Sequence, residues 1–371
     1  MLETRVVSSI AEIGRERWDR CFAGALEGYD YLMAVETAGL PGFVWRYACV
    51  ERDGALAAAA PGFFTHYALE TTLGAAGRKV AEEARKLWPA AMKLRLACLG
   101  SPCTETVSLG FAPEIAPPEK AEIARTLVRG FERAALDAGA GLLAVKDTPA
   151  DQAELCAEAF GAIGYRSIAA MPTAQLDIDF DSEEAYLARL SADTRKDMRR
   201  KLKSFAAIRI ETRTAIADVA GDIARLYADT HARADLTFEE LTPAYFSNVL
   251  REMPGRAFCQ LYYAGDEMLA FNLLLQNETT LLDKFFCMDG ARGRAHNLYF
   301  LSWFANVRHC LAHGLKRYQS GQAGYANKLR LGSRLEPTKI YFRHRNALLS
   351  RALHMAAPLF ASDPAFSPGA A

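Results

Sequence analysis

The chain has 371 residues, too many for one ordinary core, so two domains of roughly 150–190 residues are expected. Lysine plus arginine and aspartate plus glutamate balance at 44 each, which excludes a nucleic-acid binder that works through overall charge, and DNA is not an expected partner. Apolar residues at 51% and charged residues at 24% fit a globular protein, and no apolar run approaches the ~18 residues that span a bilayer.

The stretch Met1 to Ile10 carries Glu3 and Arg5 and has no long apolar segment, so neither a signal peptide nor a membrane span is expected at the start. The eight cysteines are scattered without a CxxC pair and read as reduced core thiols, which places the chain in the cytoplasm. A polar helical stretch surrounds Trp18, and a second helix near Tyr31–Ala38 ends at Gly39 and Pro41. Two apolar strands flank Asp53-Gly54, a strong hairpin signal. Residues 75–97 read as a basic helix, Gly100–Pro118 as loop, Ala121–Ala138 as a helix stopped by Gly139, and Leu142–Val145 as a buried strand. The second half repeats the plan. A strand at Gln175–Phe180 precedes a helix capped by Ser182, and helices follow at about 216–232 and 243–252. Phe258–Tyr263, Leu269–Gln276 and Thr279–Met288 form a meander, then a helix at Leu298–His313 stops at Gly314 before a strand at Lys316–Gln319. This order argues for mixed α/β domains. The expected division is 1–172 and 173–361, with 362–371 a disordered tail.

Three stretches carry a family resemblance: Leu26 to Gly39, Pro61 to Leu73, and Gln322-Ala-Gly-Tyr-Ala-Asn-Lys328 with Arg330 to Pro337. They resemble bacterial tandem GNAT acyltransferases labelled as peptidoglycan-biosynthesis-related, near the Fem aminoacyltransferases, with one branch similar to bacterial ceramide synthases. The resemblance implies two tandem GNAT-like domains and an acyl-CoA-dependent N-acyltransferase acting on a lipid amine such as a sphingoid base. Acyl-CoA is then a donor substrate, with no permanently bound cofactor. A Fem-type aminoacyl-tRNA-dependent transferase acting on a peptidoglycan precursor is the alternative, and tRNA is a partner only under it. A non-catalytic lipid- or peptide-binding module is the third reading. Relatives often carry Gly-Glu-His-Lys near the carboxyl end. Here Tyr325-Ala326-Asn327-Lys328 keeps only the lysine, so a role for glutamate or histidine there does not transfer.

Amide formation needs a cradle for the donor's phosphates, a proton acceptor for the amine, and a proton donor for the leaving group. The resemblance puts the cradle at the strand-to-helix junction, where Arg292, Gly293, Arg294, Ala295 and Asn297, with Lys328, are the expected donor-binding residues. Asp283 lies in an otherwise apolar strand, Leu281 to Cys287. Desolvation there would raise its proton affinity and suit a general base. His296 is the alternative base, and Tyr325 is a candidate proton donor to the leaving thiolate. His309 and His313 share a helix face but lack a third ligand, so no metal is expected. Cys103 reads as a structural thiol, and its loop, Gly100–Phe111, as a lining of the acceptor cleft. Six basic residues fall within Arg195–Lys203, a solvated face or a site for phosphate, tRNA or anionic lipid. The basic, leucine-bearing Arg343–Phe360 docks either on its own protein or peripherally on the inner membrane.

Overall fold

The structure is a computed structural model that describes residues 1–68, 93–107, 109–234 and 238–357. The first part of the chain supplies β1 (Leu2–Val7), α1 (Arg15–Cys21), α2 (Tyr29–Thr37), β2 (Phe43–Arg52), β3 (Ala55–Ala68), β4 (Lys93–Leu99), β5 (Gly110–Phe111), α3 (Pro117–Asp137), β6 (Leu142–Pro149), α4 (Ala153–Gly161) and β7 (Arg166–Ala169). The second supplies β8 (Thr173–Asp177), α5 (Glu183–Arg189), α6 (Ala192–Lys201), β9 (Arg209–Arg213), α7 (Ala220–Ala232), α8 (Pro243–Glu252), β10 (Ala257–Ala264), β11 (Glu267–Gln276), β12 (Thr280–Met288), α9 (Arg292–Ala295), α10 (Leu298–His313), β13 (Arg317–Gln319), α11 (Tyr325–Arg330), β14 (Arg334–Glu336), β15 (Thr338–His344) and α12 (Ala347–Ala356).

Two mixed sheets result. The first runs β1-β2-β3-β4-β6-β15-β7, with β5 on β3. The second runs β14-β8-β13-β12-β11-β10-β9. The β2–β3 turn is the two-residue Asp53-Gly54 loop, both residues at positive φ (52° and 81°), as a type I′ hairpin requires. Helix α3 covers the first sheet. Pro117 opens it, the Glu119 carboxylate accepts the Ala116 N–H, and Ile123, Ala124, Leu127, Val128, Phe131 and Ala135 form its buried stripe. Gly130 lets α3 meet β1, because a Cβ there would lie 2.7 Å from Thr4.

Two expectations are corrected. Residues 93–99 are not helical. They form β4, held between β3 and β6, and such a central strand is covered on both faces, which is why Leu96, Ala97, Cys98 and Leu99 are all buried. The rest of that expected helix lies outside the described residues. The second correction concerns 173–361 as one unit. The chain changes sheet between β7 and β8, but it returns: β15 enters the first sheet between β6 and β7, and α12 packs on β15. The expected tail, 362–371, lies outside the described residues.

The sheets share a core. Tyr31, Ala34 and Val35 of α2 pack in one apolar cluster with Tyr245, Phe246 and Val249 of α8 and with Leu261, Phe271 and Leu282 of the second sheet. The seam is tied by Tyr31, whose hydroxyl donates to the Cys103 carbonyl (2.6 Å) and meets the Tyr245 hydroxyl (2.8 Å), and by Arg256 on Asp30 (3.0 Å). Among the described residues no helix is long and apolar enough to cross a membrane.

Candidate active site where two strands part

Strands β12 and β13 run parallel for three residue pairs only, Thr280–Leu282 against Arg317–Gln319. Then β13 stops, while β12 continues to Met288. Beyond Leu282 no described strand pairs with β12 on that side, and Asp283, Lys284, Phe285 and Phe286 are only half-buried in a strand buried before them. At the far end the Met288 N–H donates to Thr230, and Arg233 donates to its carbonyl. An open edge is left between these points. A bulge where Leu273 pairs Phe285 but Leu274 pairs Asp283 lets Lys284 and Phe285 face the inter-sheet side together.

Why β13 stops is visible in the turn after it. Gly321, Ala323 and Gly324 take positive φ (77°, 65°, 64°), and the buried Lys328 ammonium donates to the carbonyls of Ser320 (2.5 Å), Gly321 (3.0 Å) and Gln322 (3.2 Å). Burial pulls its pKa down to about 8 against the opposing pull of Glu105 and Asp283. Lys328 is therefore a clamp on this turn, with its three N–H groups committed, and not a free hand for phosphate as expected.

Two carboxylates, Glu105 buried and Asp283 half-buried, flank the parting strands. Tyr318 and Gln319 are consecutive in β13, so their side chains take opposite faces. On the α10 face, Asp283 accepts from the Tyr318 hydroxyl (2.8 Å) and the Asn306 amide (3.1 Å). Burial pushes Asp283 up to about 6, with these donors and the nearby Asn272 amide, which makes no hydrogen bond of normal geometry, pulling it down. On the other face, Gln319 donates to Glu105 (2.6 Å), 9% exposed on the loop after β4. Burial pushes Glu105 up to about 7, opposed by Lys284, while Glu27 pushes it further up. Lys284 itself is bonded to Glu27 at 2.6 Å, and a Cβ on Gly321 would lie 2.8 Å from the Glu105 Oε1, so a side chain there would crowd the carboxylate as well as strain φ. Glu239 joins from the second part of the chain. Burial raises its pKa, and Lys146 and Lys284 oppose the rise.

The expected phosphate cradle is different in the structure. Asp289 takes the N–H groups of Ala291 (3.1 Å) and Arg292 (2.8 Å) on its side chain and that of Gly293 on its carbonyl, while Asp229 takes that of Gly290. Ala295, His296 and Asn297 donate to carbonyls inside the same loop. Those amides are spent internally. Arg292 is ion-paired with Glu267, Arg294 and Ala295 are exposed, and Gly293 is packed against Met288, which a Cβ would meet at 2.9 Å. Asn297, in the left-handed region at φ 57°, starts α10 and donates to Ser204. His296 is half-buried after α9 and is not a partner of either carboxylate. Tyr325 donates to the Pro172 carbonyl (2.8 Å) at the sheet-to-sheet crossing. His309 meets Gln276 (2.7 Å) and stacks on His313, with no cluster of three metal-ligating side chains among the described residues. Cys103 is buried, with its thiol shifted far up by desolvation.

Glu105 escaped the sequence reading. Nothing in Ser101-Pro-Cys-Thr-Glu105 marks burial, which arises only when this loop closes on the second sheet.

The fold is that of two tandem GNAT-like domains. Solved structures that share it include the C-terminal domain of a protein named as a lysylphosphatidylglycerol synthetase from Agrobacterium fabrum (TM-score 0.56, 14% identity, 98% of this chain and 99% of that one). FemX shares it too (0.59, 13%, 95% and 99%), as does a tandem GNAT protein of the clavulanic acid biosynthesis pathway (0.56, 14%, 93% and 99%). No curated protein sequence matches the chain. Residues 111–356 match the FemAB-like family, described as peptidoglycan biosynthesis/recognition, and the chain belongs to that family.

Proposed function

We propose that the chain is an N-acyltransferase in which an amine attacks an activated acyl carbonyl at the gap between β12 and β13. The observation that carries this reading is the pair of carboxylates, buried Glu105 and half-buried Asp283, that desolvation shifts upward, one on each face of the sheet where it opens. A transfer reaction must bring two substrates to one point, and a gap through a sheet gives each its own face. The α10 face suits the donor. Its Tyr299 hydroxyl and Asn306 Oδ1 are buried without partners among the described residues, and the open β12 edge offers main-chain groups to an extended, amide-containing chain.

An alkylammonium must lose a proton before it can attack. That first proton goes to solvent and leaves the neutral amine. As the nitrogen bonds to the acyl carbon it becomes positive, and Glu105, on the acceptor face and near neutrality, takes its second proton. The tetrahedral intermediate expels the thiolate or alkoxide with its electron pair, and the proton held by Glu105 passes to that leaving group, which leaves a neutral amide and restores the carboxylate. Asp283 holds the Tyr318 hydroxyl on the donor side and acts by positioning.

The donor in this proposal is a long-chain acyl-CoA and the acceptor a lipid amine such as a sphingoid base. The residues that resemble ceramide synthases support this, as does the apolar wall of Phe43, Trp45, Phe63 and Phe238 leading to Glu239. A second reading, aminoacyl-tRNA as donor and a peptidoglycan precursor as acceptor, draws on the family match, the internally bonded amides at 291–297, and the exposed Lys196, Arg199 and Lys203 around α6. Thermal unfolding with each ligand separates them. A ligand at about 100 times its Kd stabilises by about 2.7 kcal/mol. Long-chain acyl-CoA should raise the melting temperature and charged tRNA should not, and the converse result replaces the first reading with the second.

A further inference from the structure

Helix α12 is capped by Asn346, whose side chain accepts the N–H groups of Leu348 (2.9 Å) and Leu349 (3.1 Å). Its inner side is fixed. Ser350 is buried and receives the His344 N–H, and Leu353 packs with Phe63, Leu96, Cys98 and Leu142. Its outer side is apolar where a surface helix is ordinarily polar: Leu348 is 73% exposed, Leu349 52% and Met355 78%. Leu348, Ala352 and Met355 recur at helical spacing and make one stripe. Arg345 and Arg351 border it, both exposed and without an ion pair among the described residues, and Arg166 of β7 is exposed nearby. From Pro337 to Ser362 the sequence holds no aspartate or glutamate.

We propose that α12 seats this protein on an anionic lipid bilayer. Leu348, Leu349 and Met355 enter the boundary of the acyl region, and Arg345, Arg351 and Arg166 meet the headgroups. The charge pattern selects this occupant, since cations without an ion pair beside an apolar stripe complement an anionic surface. The seating has a consequence for the active site, which rests on the acyl-transfer reading. Leu353 belongs to the apolar cluster that contains Phe238, and Phe238 precedes Glu239 in the carboxylate–lysine group around Lys146 and Lys284. Packed apolar side chains thus link α12 to the segment that carries Glu239.

The test is co-sedimentation of the full chain with vesicles of phosphatidylcholine and phosphatidylglycerol in roughly equal parts, and with phosphatidylcholine alone. Binding should be more than about tenfold tighter to the mixed vesicles and should weaken as salt rises. Leu348→Glu with Met355→Glu should lower it by more than about tenfold, and Arg345→Glu with Arg351→Glu by about tenfold, with unchanged melting temperatures because these side chains are exposed. Glu105→Gln should bind like the unaltered protein. Equal binding to both vesicle types, or undiminished binding by the Leu348/Met355 variant, overturns the proposal. So does a dimer that Leu348→Glu converts to monomer in the absence of vesicle binding, which would assign the stripe to a second copy. Vesicle binding without any acyl transfer counts against the proposed function and leaves the seating standing.

Discussion

Replacing Glu105 by glutamine removes a proton acceptor while keeping the shape and an oxygen for Gln319 to bond. If Glu105 takes the amine's proton, turnover should fall by about 10²- to 10⁴-fold. Stability should move the other way. The folded pKa of about 7 lies above the ordinary 4.5, so between those values the folded chain binds more protons than the unfolded one. Stability therefore falls as pH rises through that window, and above pH 7 the full penalty is present, roughly 3 kcal/mol at 9% exposure. Glu105→Gln should be as stable as the parent near pH 4.5 and more stable, by up to that amount, above pH 7.5. Urea unfolding at the two pH values measures the second quantity, and steady-state kinetics the first. In the parent, kcat/KM should rise with pH through about 7. Near-parental turnover of Glu105→Gln across pH 6–9 would refute the assignment.

Asp283→Asn should lower kcat more than it raises the donor KM, because it releases the Tyr318 hydroxyl, and steady-state kinetics with varied donor would show the split. Lys328→Met should cost about 2–4 kcal/mol in urea unfolding, since three carbonyls lose their ammonium partner and the turn that ends β13 loosens. Arg292→Ala should change stability by less than about 1 kcal/mol and leave the donor KM unaltered, because its partner is the exposed Glu267. A raised KM would place the donor's phosphates on this loop after all. His309 is held neutral, burial pushing it down from 6.5 to about 4. The unfolded chain therefore takes the proton first, and stability falls as pH drops from 6.5 toward 4. In His309→Gln that loss should shrink, as read from melting temperatures at pH 7 and pH 5.

Most of the fold was legible because it rests on local signals. Asp53-Gly54 carries a type I′ turn in its residue types, and the three apolar strands of the meander are separated by turn residues, Gly265-Asp266 and Asn277-Glu278. What the sequence hid is non-local. The strand β4 has the residue types of a basic helix, since Lys93 and Arg95 give no sign that sheet neighbours cover both its faces. The return of β15 to the first sheet follows from pairing with residues almost 200 positions away, which no local pattern encodes. The site divides in the same way. Asp283 announces itself as a carboxylate in an apolar strand. Glu105 and Glu27 are ordinary surface-like residues until two sheets close on them, and the glycines and arginines of 290–297 looked like a cradle because sequence cannot show that Asp289 and Asp229 already hold those amides.

The central claim is that amine and activated acyl group meet at the β12–β13 gap with Glu105 as proton acceptor. Purified protein incubated with a long-chain acyl-CoA and a sphingoid base, beside an aminoacyl-tRNA and a peptidoglycan precursor, and analysed by mass spectrometry, tests it most directly. The account predicts an amide product in the acyl-CoA reaction of the unaltered chain that falls at least about a hundredfold in Glu105→Gln at pH 7. No amide from any donor and acceptor, or equal amide from both proteins, would contradict it.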